Sequence, residues 1–199
     1  MAFVEIILYF NLPYNPIVKE RIEPVKIYPK GSGGGQSIQQ MLEAFEDKQH
    51  QVRQANVIIL KVENEDKDGG RGLDDNRDNG YIIGGYASHG WSASFNLRGD
   101  DTCFLFNLTQ NLRFNAVKGQ PHYQVTDVQD QSSRRIKFGD TDLVIEDDFQ
   151  SLTSMLKGTH FAFGNQLTQK HKIDSIIPGK KKFSPSDVEV WAFNLKNSM

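Results

Sequence analysis

Residues 81–91 read Tyr81-Ile82-Ile83-Gly84-Gly85-Tyr86-Ala87-Ser88-His89-Gly90-Trp91, and the apolar run that opens this stretch predicts a strand over 81–87. Upstream, Val57-Ile58-Ile59-Leu60-Lys61-Val62 predicts a buried strand. Downstream, strand candidates recur at 103–108, 122–125, 136–138, 143–145, 161–163 and 188–193. Short strands at this spacing, with turn signals between them, point to an antiparallel sandwich. Helices do not alternate with the strands, which disfavours a doubly wound α/β fold. The clearest helix follows Gly31-Ser32-Gly33-Gly34-Gly35. Ser37 and Gln40 have capping-box spacing, and Ile38, Met41, Leu42 and Phe45 form one apolar stripe. A second short helix is predicted near 151–156. The expected class is α+β, mainly β: a two-sheet antiparallel β-sandwich flanked by short helices.

The 199 residues fit a single domain. At 38% hydrophobic and 24% charged the composition is globular, which excludes fibrous, collagen-like and wholly disordered readings. A formal charge of -2 provides no global field to hold nucleic acid or an anionic membrane. The single cysteine, Cys103, has no intramolecular disulfide partner, which fits a reducing compartment. It lies in Cys103-Phe104-Leu105-Phe106, so a buried thiol is expected. The apolar start at 2–10 is too short to span a membrane, is interrupted by Glu5 and lacks a positive leader. A cytoplasmic protein without direct membrane insertion is expected.

Two segments are set apart from the domain assigned to 27–195. Residues 1–26 read as an N-terminal extension: Phe3-Val4-Glu5-Ile6-Ile7-Leu8-Tyr9 is β-prone, and Pro13, Pro16 and Pro24 prevent a continuous helix. Such a strand pairs either with this domain's own sheet edge or with another protein. Residues 63–80, with seven acidic and three basic residues and four glycines, read as a solvated loop insertion.

Chemical motifs are sparse. The glycine run ends Gly35-Gln36-Ser37 and lacks the lysine of a phosphate loop. The acidic loop fails as a calcium loop: counted back from Gly80, position three is Arg77 and position twelve is Tyr86. The histidines at 50, 89, 122, 160 and 171 show no zinc spacing. Ser88 and His89 are adjacent, and strand alternation would point them to opposite faces, so no nucleophile–base pair is expected there. Tyr86 breaks the Gly-x-Ser-x-Gly elbow. Asp100/Asp101 and Asp147/Asp148 read as solvated or capping pairs. Lys170, Lys172, Lys180, Lys181 and Lys182 form the strongest basic cluster. Without interleaved aromatics it favours a solvated loop or an acidic protein partner over nucleic acid. No cofactor, metal or catalytic constellation is expected.

The order of segments resembles the TLDc domain family. Ile82-Ile83-Gly84-Gly85-Tyr86-Ala87-Ser88-His89-Gly90-Trp91 is similar to its central signature, and Asp101-Thr102-Cys103-Phe104-Leu105-Phe106-Asn107-Leu108 to its next strand. Phe138-Gly139 with Asp142-Leu143-Val144-Ile145, and Phe163-Gly164-Asn165, resemble later segments. Asp187-Val188-Glu189-Val190-Trp191-Ala192-Phe193 resembles the terminal strand. Gly35-Gln36-Ser37 and Ala55-Asn56-Val57-Ile58-Ile59-Leu60-Lys61 stand where the family expects them. The chain departs at Gly99-Asp100-Asp101-Thr102, where better-known animal members have Gly-Thr-Gly-Glu, and at Asp140-Thr141-Asp142, which replaces a multi-glycine turn. It is thus similar to divergent members from single-celled eukaryotes.

The resemblance implies a two-sheet sandwich, a role in oxidation resistance and vesicle traffic, and no accepted enzymatic mechanism. It also implies vacuolar-type proton ATPase subunits as partners. A cytoskeletal, axonemal or ciliary assembly is the alternative, with the apolar N-terminal strand donated to a neighbour. The contact surface is expected at three turns, through Ser88, His89, Trp91, Asp100, Asp101, Asp140 and Asp142. Trp91 is either an interface anchor or core. A peroxide-handling enzyme using Cys103 is the competing class, disfavoured by the apolar strand and by the two aspartates before the thiol.

Overall fold

The computed structural model describes residues 22–28, 37–46, 55–63, 80–92, 96–121, 123–130, 133–149, 151–163 and 173–195. Its thirteen strands, in chain order, are β1 (Ile22–Tyr28), β2 (Asn56–Val62), β3 (Tyr81–Ala87), β4 (Asn96–Arg98), β5 (Phe104–Asn107), β6 (Leu112–Ala116) and β7 (Gln124–Asp130), then β8 (Ser133–Phe138), β9 (Leu143–Ile145), β10 (Leu152–Thr153), β11 (Phe161–Phe163), β12 (Lys182–Phe183) and β13 (Pro185–Leu195). Among the described residues one α-helix, α1 (Ile38–Glu46), and a 3-10 turn at Asp147–Phe149 accompany them. No helix among the described residues is long and apolar enough to cross a membrane.

The strands form two antiparallel sheets. The first has seven strands in the order β1-β13-β2-β3-β5-β6-β11, and the second six in the order β12-β10-β9-β8-β7-β4. Register is set by alternation, because slipping one residue would turn each apolar set to the wrong face. Ile58, Leu60 and Val62 on β2 and Val188, Val190 and Ala192 on β13 all join the core between the layers. The core also takes in Ile136 and Phe138 from β8, Leu143 and Ile145 from β9, and the α1 stripe.

The cap of α1 forms as the Ser37/Gln40 spacing predicts: the Gln40 amide donates to Ser37 Oγ at 3.2 Å. The apolar stripe at Ile38, Met41, Leu42 and Phe45 is buried.

Gly84 and Gly85 solve one problem on each face. A Cβ on Gly85 would stand 2.5 Å from the Phe138 ring of the opposite sheet. A Cβ on Gly84 would stand 2.0 Å from the Ile58 carbonyl oxygen. The two glycines let β3 approach both its neighbouring strand and the facing layer.

Three local differences from the sequence expectations have physical causes. The helix expected near 151–156 does not form: Leu152 and Thr153 pair with Ile145 and Val144 of β9 and with Phe183 and Lys182 of β12, a tertiary pairing that overrides local propensity. The strand expected at 122–125 runs from Gln124 to Asp130, because β8 offers it a partner along that length. β1 straddles the junction placed after residue 26: its backbone from Ile22 onward pairs with β13. Pro24 is accommodated because β1 is an edge strand of this sheet. The segment 3–9, the glycine run 31–35, residues 64–79 of the acidic loop, His50, His122, His171, Lys170, Lys172 and Gly164-Asn165 lie outside the described residues.

Candidate functional site

β3 ends at Ala87, and the bend that follows frees Ser88 and His89 from strand alternation. The expectation that they point apart therefore fails: Ser88 Oγ lies 2.9 Å from His89 Nδ1, within hydrogen-bond distance. The same hydroxyl accepts from the Asp100 amide at 3.1 Å and from the Cys103 thiol at 3.4 Å. The Ser88 amide in turn donates to Cys103 Sγ at 3.4 Å. Ser88 thus joins the turn after β3 to the turn before β5.

The second turn is built by Asp100. Its Oδ1 accepts from the Thr102 amide at 2.9 Å and from the Thr102 hydroxyl at 2.5 Å, and Gly99 takes φ +87°. Partial burial works against the Asp100 charge, but the hydrogen bonds from Thr102 and Ser88 outweigh it and hold the carboxyl below its usual range. Asp100 and Asp101 are both exposed.

Beneath these turns a buried amide network fixes the backbone. Trp91 Nε1 donates to Asn56 Oδ1 at 2.9 Å, and Asn56 Nδ2 donates to the His89 carbonyl at 2.7 Å. Gln124 Nε2 donates to that carbonyl from the other sheet at 2.8 Å. The Trp91 ring is 1% exposed and meets Phe138 edge-on at 5.4 Å. Of the two alternatives for Trp91, the structure takes the core.

The third turn, between β8 and β9, is joined to the others through Tyr123 and Gln124. The Gly139 amide donates to the Tyr123 carbonyl at 3.2 Å, while a Cβ on Gly99 would stand 3.1 Å from both Tyr123 Cβ and Gln124 Cβ. Within this turn Asp140 is exposed (side chain 67%), whereas the Asp142 side chain is 3% exposed. His160 closes over it: Nδ1 lies 3.6 Å from Asp142 Oδ2, and Nε2 lies 3.8 Å from Asp140 Oδ2. Burial pushes the Asp142 carboxyl up to about 7; the charge on Asp140 adds to the rise, while backbone N–H groups of Phe161 and Asp142 and the charge on Lys157 oppose it.

The three turns expected to carry the contact surface are therefore contiguous. Ser88 and His89 are half-buried; Asp100, Asp101 and Asp140 are exposed; Trp91 and Asp142 are internal supports. Sequence reasoning missed Asn56, Gln124 and His160. Asn56 carried a signal, being a polar residue at the head of an apolar strand. Gln124 and His160 act across long sequence separations and carried none.

Cys103 is buried at the foot of these turns. Burial pushes the Cys103 thiol up, against the opposing hydrogen bonds from Ser88. No group of three or more His, Cys, Asp or Glu among the described residues has the geometry to hold a metal ion.

No curated protein matches this sequence. The family model of the TLDc domain matches residues 6–194, nearly the whole chain. That match takes in both sheets, the glycine pair of β3 and all three turns, and the chain belongs to the TLDc domain family.

Proposed function

We propose that this protein is a non-catalytic docking module of the TLDc type that attaches to a larger assembly through its three-turn end. The observation that carries the reading is the Ser88 hydroxyl, which ties the turn after β3 to Asp100 and so holds an exposed carboxylate in a fixed position. Asp101 and Asp140 are further exposed carboxylates on these turns. Exposed carboxylates on hydrogen-bonded turns suit a basic patch on a protein partner, since opposed charges speed and orient association. Ordering cost is small when the loops are already hydrogen-bonded before contact.

Two partners fit this mode. Subunits of the vacuolar-type proton ATPase fit by family resemblance, with a regulatory role linked to oxidative-stress protection. A cytoskeletal or axonemal assembly fits if the apolar N-terminal segment serves as a second anchor. In either case the protein reaches an organelle or filament from the cytoplasm through a partner.

The test compares capture of proton-pump subunits and of axonemal or cytoskeletal proteins by the full chain and by the triple variant Asp100→Lys/Asp101→Lys/Asp140→Lys. Loss of capture by at least about tenfold in the variant, with wild-type binding weakened by salt, is the expected result. Equal capture by both proteins would show that the turn end is not the contact face.

A further inference from the structure

The seven-stranded sheet has a second apolar face, turned away from the six-stranded sheet. Val57, Phe104 and Phe106 on that face form a cluster separate from the main core, and they are 1%, 2% and 0% exposed. Among the described residues, the partly buried hydrophobic ones packed against the trio are Ile59, Tyr86, Leu108 and Phe193, lateral neighbours on the same sheet or at its rim. Tyr86 stacks on Phe104 at 5.1 Å and meets Phe193 at 6.3 Å, while the Arg113 guanidinium sits 4.0 Å over Phe104 from β6. Lateral neighbours leave the outward surface of a ring in water, so a fully buried Phe106 on an outer face requires a cover.

We propose that the occupant of this face is the chain's own N-terminal segment, residues 3–10. Four observations select it. Phe3, Ile6, Ile7, Leu8, Tyr9 and Phe10 make it strongly apolar, with Glu5 the only charged side chain. The chain enters the sheet at Ile22, opposite Leu195, at the end of the sheet that also carries Phe193, Tyr86 and Phe104. From β1 to β5 is four interstrand spacings, roughly 19 Å. Residues 11–21 could reach at most about 40 Å when fully extended, so the connecting stretch is long enough to cover that distance. The family match begins at residue 6, so most of this segment is part of the domain itself.

The inference stands apart from the docking role of the turn end, and it bears on the choice of partner. A segment seated on its own sheet is not free for donation to a filament. That takes away the support specific to the adaptor reading.

A nitroxide placed at position 5 of the full chain through Glu5→Cys tests the proposal, with Cys103 buried away from the reagent. The Trp191 indole N–H and the Ile59 methyl resonances, both on the outer face, should be broadened. The Trp91 indole N–H, on the inner face, should keep its intensity. A second label through Asn11→Cys should reproduce the pattern if the first perturbs the segment. Absence of broadening at Trp191 and Ile59 from both positions would overturn the assignment. So would broadening of an isotope-labelled chain by a separate spin-labelled chain, since the occupant would then be a second copy.

Discussion

Asp142 and His160 meet across the two sheets with 3.6 Å between Oδ2 and Nδ1, and both side chains are almost wholly buried. Asp142 belongs to the turn that joins β8 to β9, and His160 immediately precedes β11 in the seven-stranded layer. The contact is therefore a latch between the layers.

The latch predicts a pH dependence. The folded-state pKa of Asp142 is raised to about 7 from 3.8, so the folded chain holds a proton that the unfolded chain releases. The stability from this group is fully present below about pH 4, falls as pH rises through 7 and is flat above that. The difference is of the order of 2–4 kcal/mol. Urea unfolding of Asp142→Asn between pH 4 and 8 should lose most of that slope. A slope equal to wild type would place the titration elsewhere.

Trp91→Ala should cost about 3–5 kcal/mol, because a buried indole is lost together with its edge contact to Phe138. Asn56→Ala should cost about 1–3 kcal/mol by leaving the Trp91 N–H unpaired. Chemical denaturation measures both. Near-wild-type stability of Trp91→Ala would contradict its core position.

Gly85→Ala should destabilise by about 1–3 kcal/mol or more, since the Phe138 ring has to move to admit the methyl group. Combining it with Phe138→Leu should recover part of the loss, as expected of two sites that share one contact. Simple additivity in that cycle would mean that the glycine answers to something other than the opposite sheet.

Cys103→Ser should leave the fold intact to within about 2 kcal/mol, since the hydroxyl can keep the bond to Ser88. Peroxide consumption by wild type and variant should be equal and at the level of buffer. Thiol labelling of the native wild-type chain should be slow until denaturant is added. Rapid labelling without denaturant would show an accessible thiol and reopen a redox role.

Much of the sandwich was legible because the central strands carry strong apolar runs. The bounds of β3, β9 and β11 match the predicted segments, and β2 differs by one residue at its start. What escaped reading were strands defined by their partners. β10 and β12 are two residues each and exist through pairing with β9 and with each other. β6 did carry a signal in the alternation Leu112-Arg113-Phe114-Asn115-Ala116, after a turn in which Asn111 takes φ 55°. The site was legible as three turns, but its construction was not. Ser88 and His89 meet because they lie in the bend beyond Ala87, where strand alternation no longer governs side-chain direction; the end of the strand was legible, the geometry of the bend was not.

The position of β13 has a consequence for biosynthesis. This strand lies between β1 and β2, so the earliest two strands of the sheet are not neighbours of each other. While the chain emerges from a ribosome, β1 and the β13-facing edge of β2 must wait, unpaired, for residues 185–195. The layer closes only after those residues have cleared the exit tunnel, so this sheet completes late relative to the synthesis of its first strands. A premature stop before residue 185 would release a chain with two open strand edges, a substrate for holdase chaperones and proteolysis rather than a shortened but working domain.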